Sequence, residues 1–207
     1  MQSLADQARR LKPPDENTAL PSLILMTDSR RLAEPEPVVS RLPPGSAVIL
    51  RHYDDPERAA LAYRLSGLCR RFGIRLLIAG DGRLAAAVSA GGLHLPEASI
   101  AHAPRTWRLW RRPGWLVTAA AHSPAAMMGA ARAGIDAVLL SPVFPTESHP
   151  GARVLGPLLF ARWARRSPLP VYALGGISAA TIGRIAGCGA VGVATVGGLR
   201  EPAKDTA

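Results

Sequence analysis

Residues 171–178 read Val171-Tyr172-Ala173-Leu174-Gly175-Gly176-Ile177-Ser178. Four apolar residues suit a short buried strand, the paired glycines a tight turn, and Ser178 the cap of a following helix. The next apolar run, Val191–Val196, stops in the same way at Gly197-Gly198. Toward the N-terminus the pattern recurs. Leu23–Thr27 ends at Asp28, Ala47–Leu50 at Arg51, and Arg75–Ala79 at Gly80-Asp81. Gly92–Leu95 carries His94 and stops at Pro96, Trp115–Ala121 ends at His122, and Ala137–Val143 stops at Pro145. These eight runs are short, nearly continuous and rich in branched residues, which predicts strands buried on both faces of a parallel sheet.

Helical segments alternate with the runs. Asp55-Pro56-Glu57 supplies an N-cap, a proline at the first helical position and an acidic first turn, and Leu61, Leu65, Leu68 and Phe72 then form one stripe up to Gly73. Ser123-Pro124 repeats the start signal, with Met127, Ala130 and Ala131 facing inward. Pro157 opens a helix with Leu159 and Trp163 facing in and Arg162, Arg165 and Arg166 facing out. Ser178 caps another with Ile182, Ile185 and Ala186 as its stripe, while 81–90 and 98–112 read as shorter helices and 32–45 is the weakest unit. Eight strand–helix units argue for a single-domain α/β (β/α)8 TIM barrel over residues 22–200, since no G-x-G-x-x-G or phosphate-loop fingerprint of an open sheet follows the first strand.

Residues 1–21, with Arg9, Arg10, Lys12, Pro13, Pro14, Asp15 and Glu16, lack the apolar core of a secretory signal and read as an exposed, mobile extension, and 201–207 as a C-terminal tail. No run is long and apolar enough for a membrane span. Cys69 and Cys188 are too few for a disulfide framework or a zinc site, so a reduced, cytoplasmic setting is expected. A homodimer is compatible with a barrel of this size.

The formal net charge of +10 raises the question of nucleic acid. Its one dense cluster is Arg105, Trp107, Arg108, Trp110, Arg111 and Arg112, where aromatics interleaved with arginine could stack bases. The alternative is a surface helix with inward tryptophans and solvated arginines, and the arginine excess extends along the whole chain. The only lysines are Lys12 and Lys204, so the body has no internal lysine for a Schiff-base aldolase.

In such a barrel the reactive groups stand at the carboxyl ends of the strands. Those ends offer Asp28, Arg51, Asp81, His94 with Glu97, His122, and Thr146 with Ser148 and His149. Strands seven and eight end instead in Gly175-Gly176 and Gly197-Gly198. Bare backbone N–H groups at these two positions are how the fold holds phosphate; the alternative is a pair of turns that need positive φ.

The segment Leu139-Leu140-Ser141-Pro142-Val143-Phe144-Pro145-Thr146-Glu147-Ser148-His149, followed by Gly175-Gly176-Ile177-Ser178, resembles thiamine phosphate synthase and its relative, the thiazole tautomerase TenI, over residues 23–199. The resemblance implies a (β/α)8 barrel, a bound thiazole phosphate and a role in thiamine biosynthesis. Thr146, Ser148, Gly175, Gly176, Gly197 and Gly198 match its phosphate half. Elsewhere the chain departs from synthases. Arg51 stands, but the lysine two positions on is Tyr53, the two magnesium-binding aspartates fall at Gly80 and Ser99, the loop lysine is His149, and the strand-five serine is Ala120. A synthase stabilises departing pyrophosphate with Mg²⁺ and cations. Asp81 and Glu97 would have to replace the carboxylates, with Arg51 and His149 as part of the cationic clamp.

A tautomerase needs only one acid/base near neutrality, and His122 stands where those relatives resemble it with a catalytic histidine. The leading expectation is therefore a TenI-like proton transfer on a thiazole phosphate without a cofactor. His122 is its acid/base, Arg51 pairs with a substrate anion, and His94, a packed strand histidine, is counted with the substrate- and phosphate-binding residues. His52 and His102 are taken as surface residues. The alternatives are a Mg²⁺-dependent thiamine phosphate synthase, and a catalytically silent binder of phosphate ligands or of nucleic acid.

Overall fold

The computed structural model describes residues 3–11, 20–102, 106–146, 151, 153–196 and 199. Helix α1 (Leu4–Leu11) precedes β1 (Leu23–Met26), α2 (Glu36–Val39), β2 (Ala47–Leu50), α3 (Arg58–Arg71), β3 (Arg75–Ala79), α4 (Gly82–Ala87), β4 (Gly92–Leu95) and α5 (Glu97–His102). A 3₁₀ turn (Thr106–Leu109), β5 (Leu116–Ala121), α6 (Pro124–Ala133), β6 (Ala137–Leu140), α7 (Gly156–Ala164), β7 (Val171–Ala173), a second 3₁₀ turn (Ile182–Ile185) and β8 (Gly192–Thr195) follow. The strands pair in parallel in sequence order and β8 closes on β1, so the sheet is a closed eight-stranded barrel. No helix among the described residues is long and apolar enough to cross a membrane.

Strand residues alternate between two cores, which is why nearly every strand position is buried. Ile24, Met26, Ile49, Leu77, Leu139 and Tyr172 fill the barrel interior. Leu23, Leu25, Val48, Leu76, Ile78 and Leu140 face the helices and join Leu61, Leu65, Phe160 and Ile182 there. Tyr172 is wholly buried inside the barrel, and its hydroxyl donates to the Pro21 carbonyl at 2.7 Å.

Side-chain N-caps form at α6 and α4. Ser123 accepts from the Ala126 N–H at 3.1 Å, Pro124 occupies the first turn, and Gly134 closes α6 with φ +77. Asp81 caps α4 by accepting from the Leu84 N–H at 2.8 Å. Helix α3 begins at Arg58, later than the sequence suggests, because Asp55 accepts from Glu57 N–H in a preceding turn. In α7 the buried residues are Phe160 and Ala164, with Leu159 and Trp163 only half-buried. The helix expected after Ser178 is reduced to the Ile182–Ile185 turn, with Ile182 and Ile185 buried and Ala186 exposed; Gly183, Gly187 and Gly189 disfavour anything longer.

The N-terminal extension needs correcting over Leu4–Leu11. That stretch is a helix with Leu4 and Ala8 buried, packed on β1, β8 and the Ile182–Ile185 turn. With so short a turn after β7, apolar barrel surface stays uncovered there, and α1 covers it. In the arginine–tryptophan cluster Trp107, Arg108 and Arg111 are structural, whereas Trp110 and Arg112 are exposed. Trp107 is buried, Arg108 donates to the Ala133 carbonyl, and Arg111 donates to the Gly134 carbonyl and to Asp136. Both guanidiniums lie against the Trp107 ring, at 5.8 and 5.9 Å from its centroid, and cap the negative end of α6.

Candidate active site

The carboxyl ends of the strands gather at one mouth, and the sequence has equipped its two sides differently. On the β6–β7 side the backbone does the work. Val143 N–H donates to Leu174 O and Phe144 N–H to Gly175 O, which zips Ser141–Phe144 onto the end of β7. Gly175 and Gly176 have φ +95 and +63. A Cβ on Gly175 would lie 2.8 Å from Pro142 Cα, and one on Gly176 2.5 Å from the Pro145 carbonyl oxygen. Only bare backbone fits this corner. Neither glycine donates its N–H to a backbone carbonyl among the described residues. Thr181 Oγ1 donates to Gly176 O at 2.8 Å, and Thr195 Oγ1 at the end of β8 donates to Ile177 O, so the corner is held from behind. Thr146 lies half-buried on the same segment. Ser148, His149, Gly197 and Gly198 lie outside the described residues, and so do their expected roles.

On the β1–β3 side the groups are charged. Arg51 donates from Nε to Thr27 O at 2.9 Å and from Nη2 to Asp28 Oδ2 at 2.8 Å. Arg31 reaches the same Oδ2 at 2.9 Å, while the N–H groups of Arg30 and Arg31 donate to Oδ1. The Arg31 contact, above all, holds the Asp28 carboxyl well below the usual carboxylate range. Arg58, which the sequence reading passed over, donates to the Ala79 carbonyl, lies 5.4 Å from the Tyr53 ring centroid and faces Asp81 at 3.9 Å. His52 also differs from expectation. It is 2% exposed at a tight corner of φ +28, its Nδ1 2.8 Å from Thr27 Oγ1 and its Nε2 without a partner. Closure of β1 against β2 buries it, which no local signal announces.

Between these sides stand two histidines. His94 on β4 is buried, with Nδ1 2.9 Å from Thr118 Oγ1. Burial, and secondarily the charge of Arg51, push its pKa down to about 3, so it is a neutral packed residue. An unfolded histidine titrates near 6.5. Below that pH the unfolded chain binds a proton that the native state refuses, so His94 leaves stability intact above pH 6.5 and erodes it as pH falls toward 3. The slope approaches about 1.4 kcal/mol per pH unit. Denaturant unfolding between pH 7 and pH 5 should show this slope in the wild type and lose it in His94→Gln; equal slopes would contradict it.

His122 is partly exposed just beyond β5, and it does not cap α6, since Ser123 does. Its Nδ1 lies 2.6 Å from Glu97 Oε2, which also accepts the His122 backbone N–H at 2.8 Å. A carboxylate oxygen only accepts, so Nδ1 carries a proton and Nε2 is the basic nitrogen. This fixed tautomer suits an acid/base, and the pairing spans 25 residues, beyond any local motif.

The Mg²⁺ that a synthase reading implies fits this donor set poorly. It requires open carboxylate oxygens. Asp28 has both oxygens taken by two N–H groups and two guanidiniums, Asp81 has one oxygen in the α4 cap and the other 3.9 Å from Arg58, and Glu97 has one oxygen held by His122. Positions 80 and 99 supply only glycine and serine. Among the described residues no three His, Cys, Asp or Glu side chains are grouped to hold a metal.

Comparison with known proteins agrees with this architecture. Residues 23–199, from β1 to just beyond β8, match the sequence profile of a family described as thiamine monophosphate synthase. A putative thiamine-phosphate synthase 2 from Aquifex aeolicus is 35% identical over 164 residues, 77% of this chain and 87% of that protein. A thiamine-phosphate synthase from Thiobacillus denitrificans is 36% identical over 149 residues, 70% of this chain and 69% of its own. Among solved structures, thiamine phosphate pyrophosphorylase from Pyrococcus furiosus superposes with a TM-score of 0.68 at 24% identity, covering 91% of this chain and 87% of its own, a likeness of fold.

Proposed function

Because this chain belongs to the thiamine monophosphate synthase family, we propose that it joins a thiazole phosphate to a pyrimidine carried as its diphosphate, in thiamine biosynthesis. The observation that carries this reading is the bare Gly175–Gly176 corner facing the same mouth as an arginine-rich side. The thiazole phosphate takes the backbone N–H groups of Gly175 and Gly176, with Thr146, Ser148, Gly197 and Gly198 completing the cradle. Arg51, with His149, meets the diphosphate. The bond between the pyrimidine methylene carbon and the diphosphate oxygen breaks, and diphosphate leaves with the electron pair. The thiazole nitrogen then closes the new C–N bond. Oriented guanidiniums stabilise the charge that develops on the leaving group. The names of the relatives favour this reading over the tautomerase expected from the sequence.

One observation favours the tautomerase as a second reading: the His122–Glu97 pair, which gives a base of fixed tautomer at the carboxyl end of β5. Incubation with both synthase substrates separates the two. Formation of thiamine phosphate with one diphosphate released per turnover is expected. Its absence, together with conversion of the non-aromatic thiazole phosphate carboxylate that falls roughly 10²–10⁴-fold in His122→Asn, would replace the synthase with the tautomerase. Neither reaction would leave a barrel that only binds.

A further inference from the structure

We propose that the β1–β3 side of the mouth is a diphosphate site that needs no divalent cation, its positive charge supplied by Arg51 and Arg58 with Arg31 beside them. The inference rests on diphosphate being a ligand of this mouth, as in the synthase reading. Arg51 and Arg58 are each anchored on a strand-end carbonyl, Thr27 O beyond β1 and Ala79 O at the end of β3. Groups held in advance lose little further freedom when a ligand arrives. Arg58 Nε is buried and donates to nothing. Tyr53 lies against the Arg58 guanidinium, its ring centroid 5.4 Å away. A guanidinium fork matches phosphate oxygens in pairs, where a lysine offers only a point charge.

The carboxylates here are arranged for a different task from metal binding. Asp28 Oδ2 bridges Arg31 and Arg51, at 2.9 and 2.8 Å, and a metal there would have to displace both guanidiniums. As a tether, Asp28 keeps two like charges together until an anion competes for them. Asp81, 3.9 Å from Arg58 and committed to its helix cap, restrains the third only loosely. The metal reading and the tether reading therefore predict opposite signs for removal of the Asp28 charge.

The test is calorimetric titration of the full chain with inorganic pyrophosphate in EDTA and again in excess Mg²⁺, with thiazole phosphate titrated in parallel. Pyrophosphate should bind in EDTA and bind no more tightly with Mg²⁺. Affinity should fall roughly tenfold to a hundredfold in Arg58→Gln, and by less in Arg58→Lys, which keeps the charge without the fork. In Asp28→Asn the affinity should rise, because the amide oxygen still accepts the Arg30 and Arg31 N–H groups while the guanidiniums are released. Binding that requires Mg²⁺, or that disappears in Asp28→Asn, overturns the proposal. Failure of pyrophosphate to bind while thiazole phosphate still binds overturns it alone; failure of both overturns the functional reading as well.

Discussion

Gly176→Ala is expected to reduce thiazole phosphate affinity by at least about a hundredfold and to destabilise the barrel by roughly 2–5 kcal/mol. Two costs combine. At φ +63 an L side chain pays the left-handed penalty, about 1–2 kcal/mol. The added Cβ would also lie 2.5 Å from Pro145 O and 2.7 Å from Phe144 Cβ, both in a segment zipped to β7 by backbone hydrogen bonds. Relief of that clash pushes Ser141–Pro145 away from the corner and misaims the N–H groups offered to phosphate. Gly114→Ala is the control, since Gly114 has φ +79 but nothing within 4 Å of its added Cβ. It should show the conformational penalty alone and leave affinity unchanged. Calorimetric titration and urea unfolding of both variants check this, and equal affinities in the two would refute it.

Gly92→Ala is expected to leave no cooperatively folded barrel. Here the space between strands, not the dihedral, is limiting. A Cβ at this position would lie 2.0 Å from the Leu116 carbonyl oxygen and 2.9 Å from its carbonyl carbon. Gly92 pairs with both Leu77 and Leu116, so the first turn of β4 cannot shift without opening one ladder. Overpacked cores relax through side chains at about 1–3 kcal/mol; backbone in a closed sheet has no such outlet, and the loss should exceed that range. Far-UV circular dichroism and a urea transition decide it. A variant within about 1 kcal/mol of wild type would contradict the tight approach of β4 to β5.

The strands were readable because burial on both faces writes itself as continuous apolar runs. β2, β3 and β4 fall at the residues the pattern marks, and the glycine corner after β7 lies where the runs place it. The helix cap at Ser123 is local, and a sequence reading reaches it. What escaped depends on partners far away in the chain. Helix α1 carries Asp6, Arg9 and Arg10 in eight residues and reads as a tail until the short turn after β7 leaves it a surface to cover. His52 is buried by β1, 25 residues back, and Glu97 becomes the orienting partner of His122 only when β4 and β5 pair. Arg58 looks like any helix arginine, and Asp28 like a free carboxylate, until strand ends bring Ala79 O and Arg51 to them. The departures at Tyr53, Gly80 and Ser99 were legible, whereas their consequence, a mouth whose carboxylates serve arginines, needed the geometry.

This mouth recognises its heterocycle, on the reading above, through the phosphate. Titration of the wild-type chain with thiazole phosphate and with the corresponding unphosphorylated thiazole alcohol, under identical conditions, tests it most directly. Saturable binding of the phosphate ester is expected, with at least about a hundredfold weaker binding of the alcohol from the loss of two charge-assisted hydrogen bonds. Equal affinity for the two, or binding of neither, would contradict it.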